Sequence, residues 1–392
     1  MTINAQQALN NALILLLCSV SAQAQTQAQD CIPAVQYLPL DATQTGLDAN
    51  GLAPLGSYER VSPDGRFVLR SYSGDKLGQV SLLELNDSGV KAYATPLRNE
   101  AFPVQGSWRY VIDVDGSHYH FADLLRDKAR AKPLFRGGMT GFYAAAAELS
   151  NVNGVVQIRS LSWPNSSSVE SQGQGALQVR TITLDTAKHK VIADTGAQFI
   201  CSERSREDGT FYALPMLSVD GTEFTAMPQT PRTGDVTTRI YSLGIDALKP
   251  TCALRVAMDY SSGKATFGFD GSTAFEYRGD VWWYSRALKR DFNMSNLDRP
   301  TLASAFPGLT RDGRLIFGAT WFVPNSSGAA CGSFGKPSGA CEKQTGYVVI
   351  DPYQQAEVRQ AQLTAGGGKA CITQAQVRSE REAFARDRGL PQ

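Results

Sequence analysis

Six short turns, each holding a glycine and each followed by a run of strand-forming residues, set the narrowest limit on what this chain can fold into. The turn glycines fall at 65, 106, 154, 221, 271 and 313, with gaps of 41, 48, 67, 50 and 42 residues. The fullest version is Val61-Ser62-Pro63-Asp64-Gly65-Arg66-Phe67-Val68-Leu69. Pro presets one backbone angle, Asp bonds its own backbone, Gly accepts positive φ, and the β-branched and aromatic run that follows favours a strand. The two shortest gaps match one four-stranded antiparallel unit, and such units, unstable alone, bury their faces by stacking side by side.

Read this way, the units open at Ser57, Phe102, Phe142, Phe211, Thr266 and Leu309. A late hairpin repeats in parallel, as in Leu184-Asp185-Thr186-Ala187-Lys188-His189-Lys190-Val191 and Ile350-Asp351-Pro352. The expected fold is therefore all-β, a six-bladed β-propeller of four-stranded antiparallel blades with a short C-terminal α-helix. The second unit is expected to end in Pro133–Phe135 and the sixth in a strand at Val358–Leu363. Cys31 to Leu40 is a short apolar segment suited to adding a strand to a distant sheet. The insertion Pro164–Gly175 reads as a loop, and the charged stretch Cys201–Gly209 is an excursion that the repeat does not need. The expected division is 1–24 as a signal peptide, 25–56 as an N-terminal extension, 57–364 as the propeller, and 365–392 as linker and helix.

The helix is signalled by Thr373 as N-cap, Gln376 as its capping-box partner, and Ile372 with Val377 as a hydrophobic staple. Val377 and Phe384 share a face, and Gly389 and Pro391 end the helix.

Export is expected from the N-terminus. Ala12 to Val20 form an apolar stretch, and Ala22-Gln23-Ala24 fits a small-x-small cleavage rule that places the cut before Gln25. No Lys or Arg precedes the apolar run, which is too short to span a bilayer, and Leu17 before Cys18 does not fit a lipoprotein signal. The expected localisation is periplasmic or secreted, with no transmembrane segment after cleavage. Six cysteines follow, and an even count in an exported chain implies disulfides. The expected pairs are Cys331–Cys341, Cys201–Cys252 and Cys31–Cys371. Zinc would need closer spacing or more than three His.

The residues at 61–69 resemble the repeat of TolB-type six-bladed β-propellers (the PD40-type repeat), which also forms the propeller of prolyl-oligopeptidase-like enzymes. Leu217-Ser-Val-Asp-Gly-Thr-Glu-Phe224 and Leu309-Thr-Arg-Asp-Gly-Arg-Leu-Ile316 are weaker matches, and Tyr347-Val-Val-Ile-Asp-Pro352 is similar to a propeller strand end. The resemblance implies an exported scaffold with a central tunnel that takes an envelope protein or small ligand at one face. It implies fold more than function.

Charge excludes one class: 38 basic against 37 acidic residues leave no surplus for nucleic acid. No G-x-S-x-G occurs, so the serine hydrolysis of the prolyl-oligopeptidase-like enzymes is not expected. His118 and His120 lie two apart in a strand and could meet one divalent cation, with Asp113 and Asp115 as oxygen ligands. The ordinary reading of that stretch is a turn followed by a half-exposed strand. Trp108, Trp163, Trp282, Trp283 and Trp321 fill gaps between blades, the commoner use of such positions, or stack on sugar or aromatic ligands, with Trp282 or Trp283 exposed on a loop-bearing face in a carbohydrate-binding module. Arg126 to Lys132 reads as a solvated basic hairpin tip. Glu59, Glu148 and Glu203 are expected near inner or rim positions without a catalytic role. No catalytic residue and no cofactor are assigned. The expected function is non-catalytic binding or scaffolding in the cell envelope, the alternative being a metal-dependent hydrolase or lyase in the tunnel.

Overall fold

The computed structural model describes residues 30–40, 58–71, 80–122 (except 88, 95–100, 109–110 and 116–117), 141–164, 178–199 (except 189 and 197), 211–228, 239–244, 251–257, 265–324 (except 278, 296, 298, 300 and 304–306) and 331–388 (except 334–335 and 338–340). The signal-peptide region, the Cys201–Gly209 excursion and the basic tip at 126–132 lie outside them.

The protein is an all-β propeller, with five blades of four or five strands among the described residues. Blade 1 runs Tyr58–Val61, Phe67–Ser71, Val80–Asn86 and Gly89–Ala94 in chain order. Blade 2 is built on Gly141–Val152, Val155–Pro164, Gln178–Asp185 and Lys190–Asp194. Blade 3 spans residues 211–257 and blade 4 spans 265–293. Blade 5 places Leu315–Pro324 and Cys341–Ile350 at its centre, with Val35–Pro39 on its outer edge.

This corrects the expected count of six four-stranded blades. The unit opened by Phe102 forms a sheet of three strands, Ala101–Pro103, Val111–Asp115 and His118–Ala122, between blades 1 and 2. The expected fourth strand, Pro133–Phe135, lies outside the described residues. Turn glycines count turns, and the charged run from 126 to 132 offers no apolar alternation for an outer strand to bury. A second correction concerns Val358–Leu363, which lies in helix α1, Ala356–Thr364. Its sequence, AEVRQAQLT, consists mostly of good helix formers, and the blade edge it was expected to fill is taken by Val35–Pro39. Likewise Ile350-Asp351-Pro352 leads into a 3-10 turn at Pro352–Gln354, where the Asp351 side chain accepts from the Tyr353 N–H.

The repeated turn has a physical identity. In blade 1 the Ser62 hydroxyl donates to Asp64 Oδ1 (2.6 Å) and accepts from the Phe67 N–H (2.8 Å), while Gly65 sits at φ 72°. Ser218 and Asp220 repeat the bond in blade 3 (2.6 Å), and Thr310 and Asp312 repeat it in blade 5 (2.5 Å). Blade 4 has Gly268 in place of the hydroxyl, and there Ser272 donates to Asp270 Oδ2 from the other side (3.0 Å). A hydroxyl two residues before the Asp thus joins the Asp-Gly turn to the following strand.

The core lies between blades. Met216, Phe224 and Tyr241 of blade 3 join Leu161 of blade 2 and Phe275 of blade 4 in one cluster. Trp283 and Phe292 of blade 4 join Phe317, Trp321 and Val348 of blade 5, with Val358 of α1. Val68 and Leu83 of blade 1 meet Leu38, Ile316 and Tyr347 of blade 5. The ring is closed by Val35–Pro39 pairing antiparallel with the far end of the chain, Val35 opposite Ile350 and Pro39 opposite Gly346. Gly346 is required there, since a Cβ would overlap the Leu38 carbonyl oxygen. Cys31–Cys371 ties the same two chain ends over a separation of 340 residues, and Cys331–Cys341 closes a local loop, both as expected.

Helix α2, Gln374–Arg388, starts as its sequence predicts. The Thr373 N–H donates to Gln376 Oε1 (2.9 Å), the Gln376 N–H donates to Thr373 Oγ1 (3.2 Å), and Ile372 and Val377 cluster with Ile32.

Candidate functional site: a central cavity beneath the C-terminal helix

Inner strands and first turns from around the ring converge on one small cavity. Glu59, Arg60 and Pro63 face it from blade 1, and Gln105 and Trp108 from the three-stranded sheet. Val219 comes from blade 3, Thr266, Phe267 and Phe269 from blade 4, and Leu309 from blade 5.

Glu59 is 2% exposed. Its Oε1 accepts from Arg70 Nε (2.5 Å) and from the Tyr347 hydroxyl (3.0 Å), and Arg70 Nη2 donates to the Tyr347 oxygen (2.9 Å). This three-residue lock joins blade 1 to the central strand of blade 5. Glu59 Oε2 and Thr266 Oγ1 are both buried with no hydrogen-bond partner among the described residues. Arg60 donates from Nη1 to its neighbour's carbonyl, Glu59 O (2.8 Å), and reaches Met216 Sδ from Nη2 (3.1 Å).

Trp108 is the strained residue of the wall. It is 5% exposed and holds φ at 56°, a region that bulky residues avoid. Its N–H donates to Val104 O (3.0 Å), and Gln105 beside it exchanges backbone bonds with blade 2 through Ala146 O (2.8 Å) and the Glu148 N–H (3.2 Å). A local turn and an interblade ladder together impose the conformation.

Helix α2 lies against the rim. Arg388 donates to Ser107 O, Phe384 meets Phe67 with centroids 6.4 Å apart, and Glu380 is 3.9 Å from Arg311. Arg311 in turn donates to Gly106 O (3.2 Å) and lies 4.9 Å from the Phe269 ring centroid. Below the helix, Asp64 is 1% exposed, and burial raises its carboxyl above the usual value despite bonds from Ser62 and the Arg66 N–H and the charges of Arg314 and Arg381. Burial also raises Glu380.

Several sequence expectations meet this geometry. Glu59 reaches the cavity, whereas the Glu148 carboxylate accepts from the Ser107 hydroxyl at the rim. Asp113 stands opposite His120 and Asp115 opposite His118 in the strand register, with their side chains outside the described residues. Among the described residues, no group of three or more His, Cys, Asp or Glu could hold a metal. Trp283 and Trp321 are buried between blades 4 and 5, and Trp282 packs against the neighbouring cluster, so the pair at 282–283 fills gaps between blades. Trp163, His189, Glu203 and Cys201 fall outside the described side chains. Cys252 lies in the strand Thr251–Ala257. Sequence reasoning passed over Arg60, Thr266 and Arg311, and placed Trp108 among tryptophans that fill gaps or stack on a ligand. The one available signal was that Trp108 directly follows the turn at Gln105-Gly106. No described helix is long and apolar enough to cross a membrane.

No protein-family pattern and no curated protein sequence matches the chain. Among solved structures, it is similar to TolB from Acinetobacter baumannii at 12% identity and a TM-score of 0.33, over 60% of this chain and 53% of that one. The chain thus spans about half the length of that TolB. It is also similar to the hydrazine synthase of Kuenenia stuttgartiensis at 13% identity (TM-score 0.37, covering 72% and 96%). A fungal alcohol oxidase of the AA5 family, in complex with copper, matches at 11% identity (TM-score 0.38, covering 77% and 63%). These neighbours include enzymes, and likeness at this level carries no function. The propeller stands on its own sheet order and closure.

Proposed function

We propose that the chain is an exported, TolB-like propeller acting as a non-catalytic binding protein of the cell envelope, with the turn face around the central cavity as its working surface. The observation that carries this reading is a closed ring of blades whose inner strands and first turns converge on one cavity. Rings locked by buried side chains suit recognition, since turns at a mouth can vary while blades do not. Two disulfides are compatible with an extracytoplasmic protein. The repeat at 61–69 supports the TolB-like kinship, and an envelope protein or small ligand is the proposed partner. We also propose that Cys201 pairs with Cys252.

The alternative, a metal-dependent hydrolase or lyase in the tunnel, takes some support from Glu59, an acidic group on the cavity wall. Against it, Arg70 already neutralises the Glu59 carboxylate through Oε1. The test uses the full chain expressed with its own N-terminus. Osmotic-shock fractionation, thiol alkylation with and without reductant, and photo-cross-linkers replacing Arg311 and Gln105 are read together with metal content. Oxidised protein in the extracytoplasmic fraction and cross-links to one envelope component are expected. Cytoplasmic protein with free thiols, or stoichiometric metal with hydrolytic turnover, would overturn the proposal.

A further inference from the structure

We propose that helix α2 is a displaceable strap across the turn face, and that this face receives a partner's amphipathic helix bearing the same anchors, an aromatic ring between two arginines. This deepens the binding reading above and rests on it.

The chain's own segment already shows what the surface accepts. Arg381, Phe384 and Arg388 stand at i, i+3 and i+7, one stripe of α2. Arg388 donates to the Ser107 carbonyl in the three-stranded sheet, and Phe384 meets Phe67 of blade 1. The Arg381 guanidinium lies beside buried Asp64 in the blade 1 turn, near enough for each charge to act on the other. Glu380 reaches Arg311 at the blade 5 turn. The helix thus crosses three turns whose neighbouring residues Pro63, Gly106 and Leu309 line the cavity.

The two ends of α2 are held differently. Its start is fixed: Cys371 is bonded to Cys31, the Ile372 N–H donates to Asp351 Oδ2 (2.6 Å), and Val377 clusters with Ile32 and Ile372. From Arg381 onward the buried side chains are Phe384, Ala385 and Arg388, so little apolar surface holds this part down. Its polar contacts are incomplete as well. Asp64 Oδ2 and Arg381 Nε are both buried with no hydrogen-bond partner among the described residues. Burying such groups unbonded costs free energy that water restores when the helix lifts, which offsets the lost burial of Phe384. A segment anchored at one end and loosely held at the other is suited to exchange. A partner helix with the same stripe takes over the same contacts once it outcompetes the tethered copy, whose local concentration is high.

The experiment uses the full chain and a fluorescein-labelled peptide of residues 374–388, with binding read by anisotropy. It compares the native chain with two variants. Phe384→Ala with Arg388→Ala loosens α2 and is accepted only if its unfolding transition stays cooperative. Glu380→Arg sets a cation against Arg311 at the exposed edge and decides the matter if the double variant does not fold. The control peptide carries Phe384→Ala and Arg388→Ala. Peptide binding about tenfold or more tighter to the double variant than to the native chain is expected, with a smaller gain in Glu380→Arg and none for the control peptide. Equal binding to native chain and variants, no binding to any of them, or equal binding of the control peptide would overturn the inference. Because the peptide assay needs no envelope partner, its failure beside an intact envelope cross-link removes only this inference. Loss of the cross-link and of export removes the underlying reading.

Discussion

Two of the arginine–carboxylate pairs in this molecule, one at the ring's interior and one on a blade's outer strands, have opposite consequences. Where blade 1 meets blade 5, Arg70 and Glu59 have side chains 2% and 1% exposed, and Tyr347 completes their bonding. On the outer strands of blade 2, Arg180 and Asp194 form a two-point contact with side chains 14% and 26% exposed. Both pairs join neighbouring strands of one sheet, Glu59 standing opposite Arg70 in blade 1, but the inner pair also binds the Tyr347 hydroxyl of blade 5, which reaches it only when the ring closes. Removing one partner of a buried pair leaves a charge without solvent or counterion, while an exposed pair returns to water. The same chemistry acts as a lock at the axis and as surface detail at the edge.

Breaking the lock is expected to have the largest effect. Arg70→Leu should cost about 3–5 kcal/mol by urea unfolding, and Tyr347→Phe less, because it removes one bond and keeps the ring in place. A loss below about 1 kcal/mol for Arg70→Leu would erase the distinction. Next comes the covalent tie: Cys31→Ser with Cys371→Ser should lower stability by about 2–5 kcal/mol, and more than Cys331→Ser with Cys341→Ser, which frees a much shorter loop. Equal losses for the two pairs would show that chain entropy is not the controlling factor.

Smaller effects sharpen the other side. Arg180→Ala should cost less than about 1 kcal/mol. It should also let the Asp194 carboxyl, which the Arg180 bond holds below its usual value, rise in an NMR titration. The finest test uses pH. Burial raises Asp64 above its ordinary value of 3.8, so its stabilising, protonated form is fully present below that value in the unfolded chain and is lost as pH rises through the folded one. Asp64→Asn cannot ionise and should therefore gain stability relative to the native chain as pH increases. A difference constant with pH would assign the raised value to the wrong group.

What could be read from residues alone followed the range of the interactions. Ser62, Asp64 and Gly65 bond within a few residues, so their turn was legible, and so was the capping box at Thr373 and Gln376. The apolar character of Val35–Pro39 was equally plain, but its partner lies more than 300 residues away and only the register with Cys341–Ile350 identifies it. Val358–Leu363 was misread because a short stretch with two apolar ends fits a strand as readily as a helix. At the cavity, Glu59 was visible as an acidic residue on an inner strand. Its unpaired oxygen was not, since that depends on Arg70 and Tyr347 arriving from other strands.

The outermost strand of the last blade comes from the first described residues of the chain. During synthesis that segment leaves the ribosome hundreds of residues before its place exists. It must therefore wait without a partner, its Cys31 thiol exposed to any other cysteine that emerges first, until residue 371 is free. Native assembly is thus tied to completion of the whole polypeptide, and a chain cut short before blade 5 would leave both a loose strand and an unclosed ring.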